Sequence, residues 1–316
     1  MDERPKVLHV WDIGGNGAAL AKVMGHDCIH RASNDPYHGT RMYSDRFVVR
    51  GGPRWFYAQA WWRARSADLL HIHGGHRMAE RLAVRKMDYE RPYPSEGGMV
   101  MGRDIVPRKP YILHYHGSDV WDHQSGSRRI AELGAARILV STPDLLKLEY
   151  EKEPTYVPTP IDTGLFARRD IPNNNRGLAI LIGDQGRDDT LRRLREYGFG
   201  DIEWTFRRRQ YGHGSHGSIT MHKDMPAMLS KYQYYCDFKW NRVHNKWHEA
   251  TSQTALECMS LGMSTILHDG SVRDTLPDEH RLENVAERIG EIHREAMETR
   301  GMMVDGTGRA VPKGRA

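Results

Sequence analysis

Lys6-Val-Leu-His-Val-Trp-Asp-Ile-Gly-Gly-Asn-Gly-Ala-Ala-Leu20 is a short apolar run, then a glycine-rich turn, then the opening of a helix. An apolar run with no alternation of polar residues is the signature of a parallel strand covered on both faces. The same unit recurs at Leu69–His73 and Tyr111–Tyr115, each with glycine close behind, and again at residues 137–141 and 155–157. Strands separated by polar or amphipathic stretches predict an α/β fold with a parallel, doubly wound sheet. Residues 144–152 read as an amphipathic helix between the last two strands.

Pro158-Thr-Pro160 interrupts this pattern and Asn173-Asn-Asn-Arg176 follows, so a linker is expected over residues 161–176. A second series then begins. Residues 178–182 and 202–206 read as strands around a helix at 189–197, and residues 234–240 and 264–268 as strands around a helix at 252–261. Leu282, Val285, Ile289, Ile292 and Ala296 recur at helical spacing, predicting an amphipathic helix over 281–299. The expected organisation is a Rossmann-like domain over 1–160, the linker 161–176, a second Rossmann-like domain over 177–280, the helix, and a mobile tail over 300–316. Two such sheets facing one another would leave a central cleft at their carboxyl ends, where ligands of open parallel sheets bind.

The length of 316 residues exceeds what one hydrophobic core usually supports, which agrees with two domains. No apolar run approaches the ~20 residues of a membrane-spanning helix. Cys28, Cys236 and Cys258 are odd in number and lack metal or redox spacing, which predicts a reducing cytoplasmic location. The formal charge of +5, carried by 35 Arg and 11 Lys, favours polyanionic partners or phosphorylated substrates.

Several stretches carry chemistry. Gly15 and Gly17 lie in the turn that opens the first helix, where backbone amides suit a diphosphate. His71-Ile-His73 and His114-Tyr-His116 place pairs of histidines on one strand face by the two-residue period. A metal reading of these pairs needs a third ligand and an outer shell that the sequence does not display, so no metal is expected. At least two of the four should bond to loop backbone, and His116 is the candidate donor to substrate. Glu249 precedes a helix that Thr251 and Ser252 can cap, and Glu257 sits inside that helix among Ala255, Leu256, Met259 and Leu261. A carboxylate there is costly to bury without a partner, and a ligand hydroxyl is one such partner.

With these stretches in hand, most of the chain resembles the retaining, nucleotide-sugar-dependent glycosyltransferases of the GT-B fold (glycosyltransferase group 1, family 4-like). The resemblance rests on the Gly14 to Gly17 loop, Ala67-Asp-Leu-Leu-His-Ile-His73-Gly, His114-Tyr-His-Gly-Ser-Asp119, Val140-Ser-Thr-Pro-Asp144 and Val157-Pro-Thr-Pro-Ile-Asp-Thr-Gly-Leu-Phe166. Above all it rests on Glu249-x7-Glu257. It implies two doubly wound domains, a nucleotide-diphosphate sugar as co-substrate, no cofactor, and metal-independent transfer with retention at the anomeric carbon. Glu249 would contact donor hydroxyls, Glu257 the ribose, and His116 the transferred sugar. Amides near Thr251 and Ser252, with the first glycine loop, would hold the diphosphate. Arg187 and Arg192 would approximate the family's basic pair, an Arg with a Lys about five residues on, with Arg207 to Arg209 as competitors, and Asp119 is the candidate acceptor contact. Where the family has Glu-Gly-Phe-Gly, this chain has Glu249-Ala-Thr-Ser252, the mark of a diverged branch.

The acceptor remains open. Residues 77–109 hold eight Lys and Arg against five Asp and Glu, consistent with an anionic acceptor: a phosphorylated glycan, a lipid headgroup met by peripheral membrane contact, or DNA bases, as in some viral enzymes of this fold. The rival class is a non-catalytic protein of the same fold that binds nucleotide sugar or nucleic acid.

Overall fold

A computed structural model describes residues 5–11, 15–32, 39–74, 78–79, 84–85, 88–92, 99–102, 106–107, 109–117, 126–182, 186–209, 220–241, 246–298, 302–304 and 310–312. Two compact units emerge. One comprises Met1–Pro36, Thr40–Pro158 and Ala286–Ala316; the other comprises Thr159–Val285 with residues 37–39.

The first unit is built on a seven-stranded sheet. In spatial order its strands are Pro154–Tyr156, Arg137–Val140, Tyr111–Tyr115, Leu69–His73, Val7–Val10, Asp27–Arg31 and Val48–Val49, all parallel. Numbered along the chain this is 3-2-1-4-5-6-7, a Rossmann-like order, and the direction of winding reverses between Val7–Val10 and Leu69–His73. The pleat sends Leu8, Val10, Leu70, Ile72, Leu113 and Tyr115 to one face, where they share a core with Phe56, Ala60 and Ala64. These three lie four apart on the helix Pro53–Ser66, whose Pro53 starts the first turn without losing a helical hydrogen bond. The other face of the same strands carries His9, His71, His73 and His114 beside the aliphatic Val7, Leu69 and Ile112.

The second unit has a five-stranded sheet in the order Glu203–Arg209, Arg176–Ile182, Tyr234–Cys236, Ser264–Ile266 and Val272–Arg273, parallel except for the last strand. Its core gathers Leu178, Leu229, Tyr235, Leu256 and Met259. The helix Gln253–Leu261 ends at Gly262, whose φ of 88° is the left-handed value that glycine adopts without strain. Gly177 is dictated by packing: a Cβ there would come within 2.5 Å of the Trp204 ring on the neighbouring strand.

Several expectations change. Residues 161–176 do not form a free linker: Ile161 bridges Arg281 in parallel, Phe166 is a core residue, and the Phe166 carbonyl accepts from Ser260 Oγ at 2.7 Å. The run 144–152 forms only a 3-10 turn, Pro143–Lys147: the backbone turns extended at Leu148, and the Tyr150 hydroxyl donates to the Leu145 carbonyl at 2.9 Å. The strand read over 234–240 ends at Cys236, and Trp240–Asn241 pairs with Lys246–Trp247 in a separate ribbon. The terminal helix runs Leu282–Glu298, and from Ala286 onward it belongs to the first unit. In the tail, Met302–Val304 pairs with Ala310–Pro312. Within 77–109, Asp88–Pro92 pairs with Met99–Gly102 and Val84–Arg85 with Val106–Pro107.

Candidate functional site

The histidine face of the first sheet follows from register. His9 lies opposite His71 on the adjacent strand, and His73 lies opposite His114. Successive same-face positions on a strand add His116 beyond His114. Two further histidines close over this layer: His26, just before the strand Asp27–Arg31, and His293, from the terminal helix.

These rings form one unbroken hydrogen-bonded chain. His26 Nδ1 meets His9 Nε2 at 3.2 Å, His9 Nδ1 meets His73 Nε2 at 3.1 Å, and His73 Nδ1 meets His116 Nε2 at 2.9 Å. The Ser141 hydroxyl, just past the strand Arg137–Val140, lies 2.9 Å from both His116 Nδ1 and His114 Nε2. His114 Nδ1 then meets His71 Nε2 at 3.1 Å, and His71 Nδ1 meets His293 Nε2 at 3.0 Å. A neutral imidazole has one donor and one acceptor nitrogen, so fixing one tautomer fixes the others on the same side of Ser141. His26, His9, His73 and His116 all carry the proton on Nδ1 or all on Nε2, and the same holds among His114, His71 and His293. At the far end His293 Nδ1 has no hydrogen-bond partner among the described residues.

Burial sets the charge state. Desolvation first, and then the neighbouring imidazoles, hold His9, His71, His73 and His114 well below the ordinary histidine range. Desolvation lowers His26 and His116 to about 4, and desolvation followed by repulsion from His26 lowers His293 to about 3. The layer is therefore neutral at pH 7. This corrects the expectation that at least two of these histidines bond to loop backbone: all four bond to other side chains. The sequence hid the outer shell because His9, His26 and His293 are remote along the chain.

His116 itself is part-buried, with both ring nitrogens engaged in the chain, and Gly117 (φ 145°) turns the backbone immediately after it. Gly15 (φ 87°) stands at the N-cap of the helix Asn16–Met24, and Gly17 is buried inside that helix. Asp119 lies outside the described residues.

In the second unit, Asp237 is the first residue beyond the strand Tyr234–Cys236 and determines where the next helix begins. Its carboxylate accepts from Ser252 N at 2.9 Å and from Ser252 Oγ at 2.6 Å, and pairs with Lys239 Nζ at 3.0 Å. The same Ser252 Oγ accepts from Ala255 N at 3.2 Å, an N-cap bond. Ser252 thus caps as expected, but its amide is already engaged by Asp237. Glu257 is 3% exposed on this helix; its Oε1 accepts from Gln253 Nε2 at 3.1 Å and lies 3.8 Å from His222 Nε2. Glu249 is exposed beyond the Lys246–Trp247 strand, and Thr251 is part-buried next to the cap.

Arg187 begins the helix Arg187–Glu196 with its guanidinium 5.1 Å from the Phe206 ring centroid, while Arg192 pairs with Asp189 at 2.9 Å on the surface. Five residues along a helix turn the side chain by about 140°, so this pair does not share a face. Arg207 reaches Thr220 Oγ1 at 3.4 Å. An arginine that the sequence did not single out, Arg193, donates to the His268 carbonyl at 2.5 Å and lies within 5.3 Å of the ring centroids of Tyr197, Phe238 and Trp247.

No known protein family and no curated protein matches this chain. Among the described residues, no helix is long and apolar enough to cross a membrane.

Proposed function

We propose that this protein transfers a sugar from a nucleoside-diphosphate donor to an acceptor, with retention at the anomeric carbon and no metal ion at the transfer step, as a diverged GT-B glycosyltransferase. The observation that carries the reading is Glu257, a carboxylate buried on a helix whose N-terminus is tied by Asp237 to the carboxyl end of the strand Tyr234–Cys236. That strand and Arg176–Ile182 flank the position where strand order reverses in the second sheet. Open parallel sheets take their ligands there.

A carboxylate with two oxygens accepts from the paired hydroxyls of a ribose, which is the role assigned to Glu257. Exposed Glu249 faces the donor sugar hydroxyls. Breaking the bond between the anomeric carbon and the diphosphate places negative charge on the leaving oxygen. Arg187, at a helix start just past the strand Arg176–Ile182, supplies the compensating charge. The departing phosphate takes the acceptor proton on the same face. The acceptor class is a glycan, an anionic lipid headgroup or DNA.

A second reading, a non-catalytic nucleotide-sugar or nucleic-acid binder, draws on two observations: both nitrogens of His116 and the amide of Ser252 are engaged within the protein. Calorimetry and thermal unfolding against UDP-, GDP-, ADP- and CDP-sugars, with Mg²⁺ and with EDTA, test the main proposal. Saturable stabilisation by one nucleotide class, equal in both conditions and lost in Glu257→Gln, is expected. No stabilisation by any of the four would overturn it, and saturable binding of an intact nucleotide sugar, with no nucleotide released in the presence of any acceptor class, would favour the binder.

A further inference from the structure

We propose that the imidazole layer of the first unit holds a divalent transition-metal ion, with His9, His71 and His73 as its protein ligands. The inference is independent of the proposed sugar transfer, because all three residues lie in the sheet of the first unit and none is assigned to the donor.

The argument starts with placement. His9 and His71 are register partners on the two central strands, and His73 is the next same-face residue along from His71. Each offers one ring nitrogen, and the three lie within 4.8 Å of one another. All three residues are 0% exposed. Two imidazole nitrogens at about 2.0–2.1 Å from a tetrahedral zinc are roughly 3.3 Å apart. His9 Nδ1 and His73 Nε2 already stand at 3.1 Å, so that pair needs a few tenths of an ångström, while the His71 nitrogen, within 4.8 Å of both, closes by up to about 1.5 Å.

A metal-bound histidine needs its second nitrogen held by an acceptor, which fixes ring orientation. That shell is present for every ligand. His9 has Nε2 on His26 Nδ1, and His73 has Nδ1 on His116 Nε2. His71 has one nitrogen on His293 and the other on His114, so whichever it gives to the ion, the other stays bonded. Binding replaces the His9–His73 hydrogen bond and one of the two bonds of His71, to His293 or to His114, and demands no charged ligand. With Nε2–H on His9 and Nδ1–H on His73, both rings are neutral and present lone pairs inward.

The donor set defines the ion. Both candidate groups, His9–His71–His73 and His73–His114–His116, consist of imidazoles alone, a set that suits Zn²⁺, Co²⁺, Ni²⁺ or Cu²⁺ and not the oxygen-seeking Mg²⁺ or Ca²⁺. The first group is favoured because it is buried throughout, whereas His116 is part-buried. Aliphatic side chains would fill a covered parallel sheet at lower desolvation cost. An ion bridging two central strands gives this polar layer a structural purpose.

The test uses the full-length chain without a polyhistidine tag. Metal content is measured as purified; metal-free protein is then titrated with Co²⁺ and followed by visible absorption. One equivalent with the intense bands of tetrahedral cobalt, displaced by Zn²⁺, is expected. His9→Gln and His71→Gln should lose that equivalent, and His268→Gln, in the other unit, should keep it. Should the ligand variants fail to fold, His26→Gln leaves all three ligands and removes only the partner of His9, and should weaken Co²⁺ about 10- to 100-fold. Absence of a stoichiometric tetrahedral site in the unmodified protein would overturn the proposal and leave the layer as a proton-sharing hydrogen-bond chain. Equal uptake by His9→Gln and His71→Gln, or no weakening in His26→Gln, would do so as well.

Discussion

His71 Nδ1 lies 3.0 Å from His293 Nε2, joining a strand of the first sheet to a helix 222 positions later in the chain. Both residues are buried, and His293 is the terminal member of the imidazole chain. His293→Leu removes the only imidazole that the helix contributes and leaves His71 with a buried unpaired nitrogen. The expected loss is about 1–3 kcal/mol in chemical denaturation, the cost of stranding a buried polar group. A variant as stable as the parent would show that this bond contributes nothing.

Acidification should unfold the metal-free protein cooperatively. His26 and His116 fall from 6.5 to about 4, and His293 from 6.5 to about 3, on folding. The unfolded chain therefore binds more protons than the folded one between these values. Stability is fully present above pH 6.5 and is lost as pH falls toward 4, at up to about 1.4 kcal/mol per pH unit for each histidine. Urea midpoints measured from pH 8 to pH 4 should be flat above 6.5 and drop steeply below it. A midpoint unchanged between pH 7 and pH 5 would contradict a neutral layer.

Ser141→Ala removes the one hydroxyl that links His114 to His116. Two imidazole nitrogens then lose a shared partner inside the core, and a Tm lowered by several degrees is expected, corresponding to about 1–3 kcal/mol. Ser252→Ala tests the second unit in the same way: loss of the N-cap costs about 0.5–2 kcal/mol and leaves the buried Asp237 carboxylate without its hydroxyl donor. Thermal unfolding of both variants checks these values.

Glu132 accepts from Arg128 Nε at 2.5 Å, from the Tyr115 hydroxyl at 3.1 Å and from the Glu151 amide at 3.0 Å, all within the first unit. Glu132→Leu takes the carboxylate from a guanidinium that is 7% exposed and leaves it the Glu149 carbonyl at 2.8 Å, and about 3–5 kcal/mol of destabilisation is expected by denaturant titration. A double variant that also replaces Arg128 with Met should recover part of it, because no unpaired charge remains.

Glu257→Gln keeps the shape and the bond from Gln253 while removing the charge. Donor affinity should fall at least about tenfold with the Tm of the unliganded protein nearly unchanged, since a charged hydrogen bond contributes roughly 1.5–3 kcal/mol. Calorimetric titration of both proteins with the nucleotide sugar that stabilises the parent decides it.

Local signals in the sequence determined the elements with regular periodicity. The apolar runs at Val7–Val10, Leu69–His73 and Tyr111–Tyr115 announced parallel strands, and the spacing of Leu282, Val285, Ile289 and Ile292 announced the terminal helix, because period and burial act over neighbouring residues. The N-cap at Ser252 and the glycine stop at Gly262 were legible for the same reason. Which unit the terminal helix joins was not, nor was the packing of residues 161–166 into the second core, because both depend on partners more than 90 residues away.

The histidines show the division most sharply. Alternation along two strands put His71 with His73, and His114 with His116, on single faces. Only the parallel register aligned those faces, brought His9 beside His71, and folded His26 and His293 over them. Side-chain period is a property of one strand, whereas a chain of imidazoles is a property of neighbours in space, and its order of hydrogen bonds exists only once the sheet has formed.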